Sequence, residues 1–123
     1  MKKLSVILML ALFATSLFGK ANTTKEETIE NNLLVGLNSD NLGLKTSAAY
    51  MLGEYGTSKS INSLLKVLKS GKTDVERISA AVTLTKIGTE QSLFAVKQNA
   101  KFDDSERVRR LCRMFYNQSL QNN

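Results

Sequence analysis

A chain of 123 residues with 42% hydrophobic and 23% charged side chains has the make-up of one folded domain, which excludes global disorder. It has no histidine, tryptophan or proline, so it lacks the commonest general base and zinc ligand, and nothing in it breaks a helix as proline does. The formal charge is +6, and part of that charge belongs to the first segment.

Met1-Lys2-Lys3 is a short basic start, and Leu4 to Phe18 is an almost wholly apolar run of 15 residues. Gly19-Lys20-Ala21 then offers small residues where a signal peptidase reads, so residues 1–21 are expected to be a secretory signal peptide cleaved after Ala21. The rival reading is a membrane anchor, but a bilayer span needs roughly 20 residues. Removing residues 1–21 takes away three of the 17 basic residues and none of the 11 acidic ones, so fourteen against eleven leaves +3. The mature part, 22–123, is expected in the periplasm or outside the cell, with no membrane span after cleavage. A charge of +3 requires no polyanionic partner. The single cysteine, Cys112, cannot form an internal disulfide.

The mature part repeats every 32 residues. Ser47-Ala48-Ala49 recurs as Ser79-Ala80-Ala81, Leu52 as Leu84, Gly56-Thr57 as Gly88-Thr89 and Ser60 as Ser92. A further step takes Lys45 and Arg77 to Arg109, and Ala48 and Ala80 to Cys112, a position that asks for a small buried residue. Apolar spacing predicts helices over about 24–37, 41–55, 58–69, 74–87, 90–101 and 105–119, with no sustained alternation to suggest a sheet. Thr24 with Glu27, Thr73 with Glu76 and Asp103 with Glu106 have capping-box spacing, and Gly56 and Gly88 stand where left-handed residues end helices. The two Gly-Thr turns suggest two helical hairpins flanked by a half-repeat at each end.

Lys45-Thr46-Ser47-Ala48-Ala49-Tyr50-Met51-Leu52-Gly53-Glu54-Tyr55-Gly56 resembles the first helix of a HEAT repeat. It is more narrowly similar to the short bacterial HEAT-like repeats first associated with phycobilisome lyases, and the likeness covers residues 30–116. It implies an all-α fold: a short right-handed solenoid of stacked antiparallel helix pairs, about six helices in all. HEAT repeats often carry an aspartate four residues before the basic position. Here Asn41, Thr73 and Ser105 stand there, with Asp40, Asp74 and Asp104 one residue away, so a regular aspartate–arginine ladder is not implied. Lys45, Arg77 and Arg109 are expected to pair with loop carboxylates or carbonyls rather than with a ligand. In phycobilisome-related proteins the repeat can accompany chromophore attachment, but no motif here supports a lyase.

No nucleophile–base pair is readable, since Cys112 has no histidine to activate it. One cysteine and no histidine do not make a metal site, and Asp103-Asp104-Ser105-Glu106 reads as a helix start more readily than as a cation site. The expectation is therefore an all-helical scaffold that is not an enzyme and has no cofactor, metal or catalytic residue. It would bind a protein partner through the second helices of the repeat, which usually line the concave side of such stacks. The candidate contact residues are Lys59, Asn62 and Lys66 on one of these helices and Phe94, Gln98 and Lys101 on the other. Phe94 has two readings, an exposed hot spot or a ring folded toward Phe102 and the third repeat. The alternative function is association with a polyanion or membrane surface through Lys97, Lys101, Arg107, Arg109, Arg110 and Arg113, although the export signal argues against nucleic acid. The open ends of the stack leave room for self-association.

Overall fold

The computed structural model describes residues 24–123, so the expected signal peptide lies outside the described residues. Six helices follow one another: α1 Lys25–Leu37, α2 Leu42–Leu52, α3 Ser58–Ser70, α4 Asp74–Ile87, α5 Glu90–Phe102 and α6 Glu106–Gln121. None of the described residues lies in a strand. No helix among them is long and apolar enough to cross a membrane.

Each helix starts on a side chain that satisfies a free backbone donor. The hydroxyls of Thr24, Thr57, Thr73, Thr89 and Ser105 and the side-chain oxygen of Asn41 accept from the backbone N–H three residues on. Asn41, Thr73 and Ser105, which depart from the HEAT aspartate, thus do a cap's work at 32-residue intervals. The expected capping box at Thr73 and Glu76 is complete in both directions. At Thr24 the hydroxyl accepts from the Glu27 backbone N–H. The box expected at Asp103 is not formed. Ser105 caps α6, while Asp103 ends α5 and accepts from the Ser105 backbone N–H at 2.9 Å.

Helix α2 ends at Leu52, three residues short of the expected end. Gly53, Glu54 and Tyr55 continue as a tight turn in which each N–H donates three residues back. A Cβ on Gly53 would meet the Thr83 methyl group at 3.0 Å, so the chain passes close to α4 there. Gly56 (φ 57°) and Gly88 (φ 72°) hold the left-handed conformation that lets the chain reverse into the next helix.

Helices α2, α4 and α6 form one layer, and α1, α3 and α5 the other. Successive helices of the first layer pack extensively, and those of the second layer much less. The cause is side-chain size: Ala48, Ala49, Ala80, Ala81 and Cys112 are all buried in the first layer and let its backbones approach. The remaining core comes from Leu37, Leu52, Ile61, Leu64, Leu68, Leu84, Val96, Ala100 and Val108. Packing is strongest between α1 and α2, α3 and α4, and α5 and α6. The described residues therefore form three helix pairs, not two hairpins with a half-repeat at each end. The Gly-Thr turns link successive pairs, because each second helix turns its apolar face toward the first helix that follows it.

Candidate protein-interaction surface

The buried side of α3 is Ser60, Ile61, Leu64 and Leu68, and that of α5 is Ser92, Val96 and Ala100. With those positions turned inward, the 32-residue register places Asn62 beside Phe94, Lys66 beside Gln98, Lys69 beside Lys101 and Ser70 beside Phe102 on the outer side. Phe94 is 61% exposed and Phe102 74% exposed. The inward reading of Phe94 is thereby excluded: neither ring enters the core. Eight helical residues separate them by about 12 Å along the axis and about 80° around it, so both project from one side of α5.

The six candidate contact residues fall into two groups. Phe94, Gln98 and Lys101 share the outer side of α5. Gln98 is half-buried in a cleft of about 400 Å³ between the C-terminal ends of α3 and α5, with Lys69, Ser70, Asn99, Phe102 and Asp104 also on its walls. On α3, Lys66 lines a separate cleft of about 230 Å³ against Leu37 of α1 and Asn38, which caps that helix. The Lys59 ammonium donates to the Asn31 side chain on α1, and Asn62 is exposed. Phe102 and Lys69 were not among the expected contacts. The register that pairs them with Ser70 and Lys101 was the signal that could have found them.

Charged side chains that resemble a site from sequence are largely committed to structure. Arg77 makes two bonds to the Asp103 carboxylate (3.0 and 3.3 Å), one to Asp74 (3.1 Å) and one to the Gly71 carbonyl (2.6 Å). Lys45 meets the Glu76 carboxylate at 2.6 Å. Arg109 donates to the Asp103 and Asp104 carbonyls. The expectation of loop carboxylates and carbonyls holds for Arg77 and Arg109, whereas Lys45 pairs with a carboxylate in the first turn of α4. In the basic cluster, Arg113 donates to the Ala100 carbonyl at 3.4 Å, and Lys97 stands 5.7 Å from the centre of the Tyr116 ring. Lys101, Arg107 and Arg110 remain exposed with no such partner among the described residues.

Two buried carboxylates are held ionised. Glu30 on α1 accepts from the Ser60 and Thr57 hydroxyls at the start of α3, and these bonds hold its carboxyl below the usual range against the cost of burial. Glu76 is lowered first by Lys45 and then by the Thr73 backbone N–H, again against burial. Cys112 is fully buried, and burial, then the nearby Asp103, pushes its thiol up to about 12, with Arg77 opposing. At neutral pH it is therefore a protonated packing group rather than a nucleophile. Among the described residues no three His, Cys, Asp or Glu side chains gather to hold a metal ion.

No family model matches the chain, and no curated protein does. Among solved structures, human deoxyhypusine hydroxylase in complex with glycerol is similar, with a TM-score of 0.65 and 20% sequence identity over 75% of this chain and 32% of that one. The chain thus spans about a third of that protein's length. The similar structure belongs to an enzyme, which corrects the expectation that this chain is not one: a helical stack of this shape gives no ground for excluding catalysis. At this identity the likeness shows the fold, and the fold is a HEAT-like helical solenoid.

Proposed function

We propose that the chain is a scaffold or adaptor of the cell envelope that binds another protein through the outer side of α3 and α5. The observation that carries this reading is the pair of large exposed aromatic rings, Phe94 and Phe102, on a helix whose buried side needs neither. Clustered aromatic anchors beside a cleft are what protein interfaces use for most of their binding energy. The envelope location rests on the basic and apolar pattern of residues 1–21. Within HEAT-like proteins, the basic residue, the paired alanines and the following leucine favour the short bacterial repeats first associated with phycobilisome lyases.

Affinity capture from the native envelope tests this, with the wild type and the Phe94→Ala, Phe102→Ala double variant run side by side. A protein recovered in high salt by the wild type and lost by the variant supports the reading. Recovery of anionic lipid or polymer alone, equally by both forms, would move the assignment to the basic cluster of the last two helices, where Lys101 of α5 and Arg107 and Arg110 of α6 are available. Phe94→Ala by itself should change unfolding free energy by less than about 0.5 kcal/mol, as for other exposed positions. A loss of roughly 3 kcal/mol in denaturant unfolding would mean the ring is core after all.

A further inference from the structure

The charges of the layer formed by α1, α3 and α5 are sorted along the stack. Helix α3 carries Lys59, Lys66 and Lys69 with no acidic residue, and α5 carries Lys97 and Lys101 against Glu90 alone, which stands at its first position. Helix α1 is the reverse, with Glu26, Glu27 and Glu30 against Lys25. Packing does not require the lysines of α3 and α5, since all five are exposed. Lys59 is bonded to Asn31 and Lys97 lies over Tyr116, while Lys66, Lys69 and Lys101 meet no carboxylate among the described residues. Gln98, between the two phenylalanines, is half-buried on the wall of the cleft and brings an amide with both donors and an acceptor.

We propose that this face receives an acidic, amphipathic segment of the partner protein, its apolar side chains seated against Phe94 and Phe102 and its carboxylates paired with Lys66, Lys69 and Lys101. The inference rests on the reading of α3 and α5 as the interaction surface and adds the chemistry of what binds there. Charge complementarity selects an acidic occupant, because a basic one would meet uncompensated lysines on both helices. The two rings select an apolar stripe, because their positions differ by about 12 Å along the axis of α5, about two turns of a facing helix. A polypeptide fits better than an anionic bilayer or a phosphodiester chain. Phe102 and Gln98 line a cleft that a flat bilayer does not enter, and the exposed Asp104 on its wall repels the evenly spaced charges of a phosphodiester chain, whereas a peptide can carry its carboxylates opposite the lysines and away from Asp104.

The test uses the purified protein and three labelled peptides read by fluorescence anisotropy: a leucine–glutamate amphipathic helix, the same helix with lysine for glutamate, and a scrambled leucine–glutamate sequence. The glutamate helix should bind, more weakly as salt rises, and lose at least tenfold in affinity in the Phe94→Ala, Phe102→Ala double variant. Charge reversal by Lys66→Glu, Lys69→Glu and Lys101→Glu together should transfer preference to the lysine helix, with helical circular dichroism unchanged. Equal binding of the three peptides, or no binding of the glutamate helix at low salt, overturns the proposal. So does binding of phosphatidylglycerol vesicles in place of the peptide. If the peptides fail while envelope capture still depends on Phe94 and Phe102, the acidic-partner inference falls and the interaction surface stands. If both fail, both fall.

Discussion

Between α2 and α4 the repeat's basic position is Lys45, and its ammonium makes one bond, to Glu76 on the next first-layer helix. One repeat later the same position is Arg77, and its planar fork reaches back to the Gly71 carbonyl and forward to Asp103. The difference begins one residue along. Val108 occupies in α6 the place that Glu76 holds in α4, so Arg77 finds no carboxylate on the following first-layer helix. The loop before α6 supplies it instead: Asp103 accepts from Arg77, from the Asn99 amide and from the Ser105 backbone N–H. The Ser105 hydroxyl then donates to Asp74 at 2.7 Å. The first junction could not be built that way, because Asp103 corresponds to Gly71. A Cβ on Gly71 would lie 2.6 Å from the Val67 carbonyl oxygen. The helix end is looser at Asp103, where the equivalent backbone bond is 3.2 Å against 2.8 Å at Gly71. Equivalent positions in a repeat thus share a backbone but not a partner. Lysine serves where one carboxylate is enough, and arginine where several acceptors converge.

If the second junction is the more deeply committed, breaking it should cost the most. The Asp103 side chain is 6% exposed and that of Arg77 15%. Asp103→Ala leaves the guanidinium and the Asn99 amide facing a void, and should lower unfolding free energy by about 3–5 kcal/mol. Adding Arg77→Met should restore part of that loss in a double-mutant cycle, since the guanidinium left with only Asp74 and the Gly71 carbonyl is then gone. Additive losses in urea unfolding would show that the two residues are not coupled. Next in size is Ala80→Leu on α4, the helix that both junctions share. Ala80 is fully buried, and the extra atoms should force the first layer apart at a cost of roughly 1–3 kcal/mol. An unchanged melting temperature would mean that close stacking is not set by the alanines.

The first junction should show itself in acid. Glu76 and Glu30 both have folded-state pKa values below the ordinary 4.5. Their stabilisation is therefore fully present above 4.5 and is lost as pH falls through the folded values, because the unfolded chain takes up protons first. Glu76→Gln should cost about 1–2 kcal/mol at neutral pH, a smaller loss than at Asp103 because Lys45 is partly hydrated. It should also flatten the fall in melting temperature below pH 4.5. A wild-type acid limb in the variant would assign that limb to other carboxylates.

Features that depend on neighbours a few residues away were legible in the sequence. The six helices, the buried Cys112 and the left-handed Gly56 and Gly88 follow from apolar spacing, from a 32-residue comparison and from the conformational freedom of glycine. Asp103 was misread as the start of α6, because capping-box spacing is a local signal. Its partner Arg77 lies 26 residues away, and Ser105, nearer the helix, takes the cap. The pairing of helices was also hidden. Gly-Thr turns mark where the chain reverses, whereas contact is decided by which side of α3 or α5 is apolar. Of the candidate surface, Phe94 was visible as a departure from the apolar stripe. Phe102 was not, because an aromatic closing a helix looks the same in sequence whether it turns in or out.

The smallest effect expected is at a third bond, which also crosses the first junction. Lys86 on α4 pairs with Glu54 beyond the end of α2, and the two side chains are 58% and 68% exposed. Drawn as contacts, this pair and Lys45–Glu76 are alike: each is one lysine and one glutamate joining the same two repeats. Water separates them energetically. An exposed pair gains little over its hydrated ions and gives up side-chain freedom, so Lys86→Ala should change stability by less than about 0.5 kcal/mol, and added salt should erase even that. Lys45→Ala strands a buried carboxylate, and its effect should persist in high salt. Measuring both variants across a salt series isolates burial as the variable. Equal costs at all salt concentrations would mean that charge count, and not environment, sets the strength of a junction in this stack.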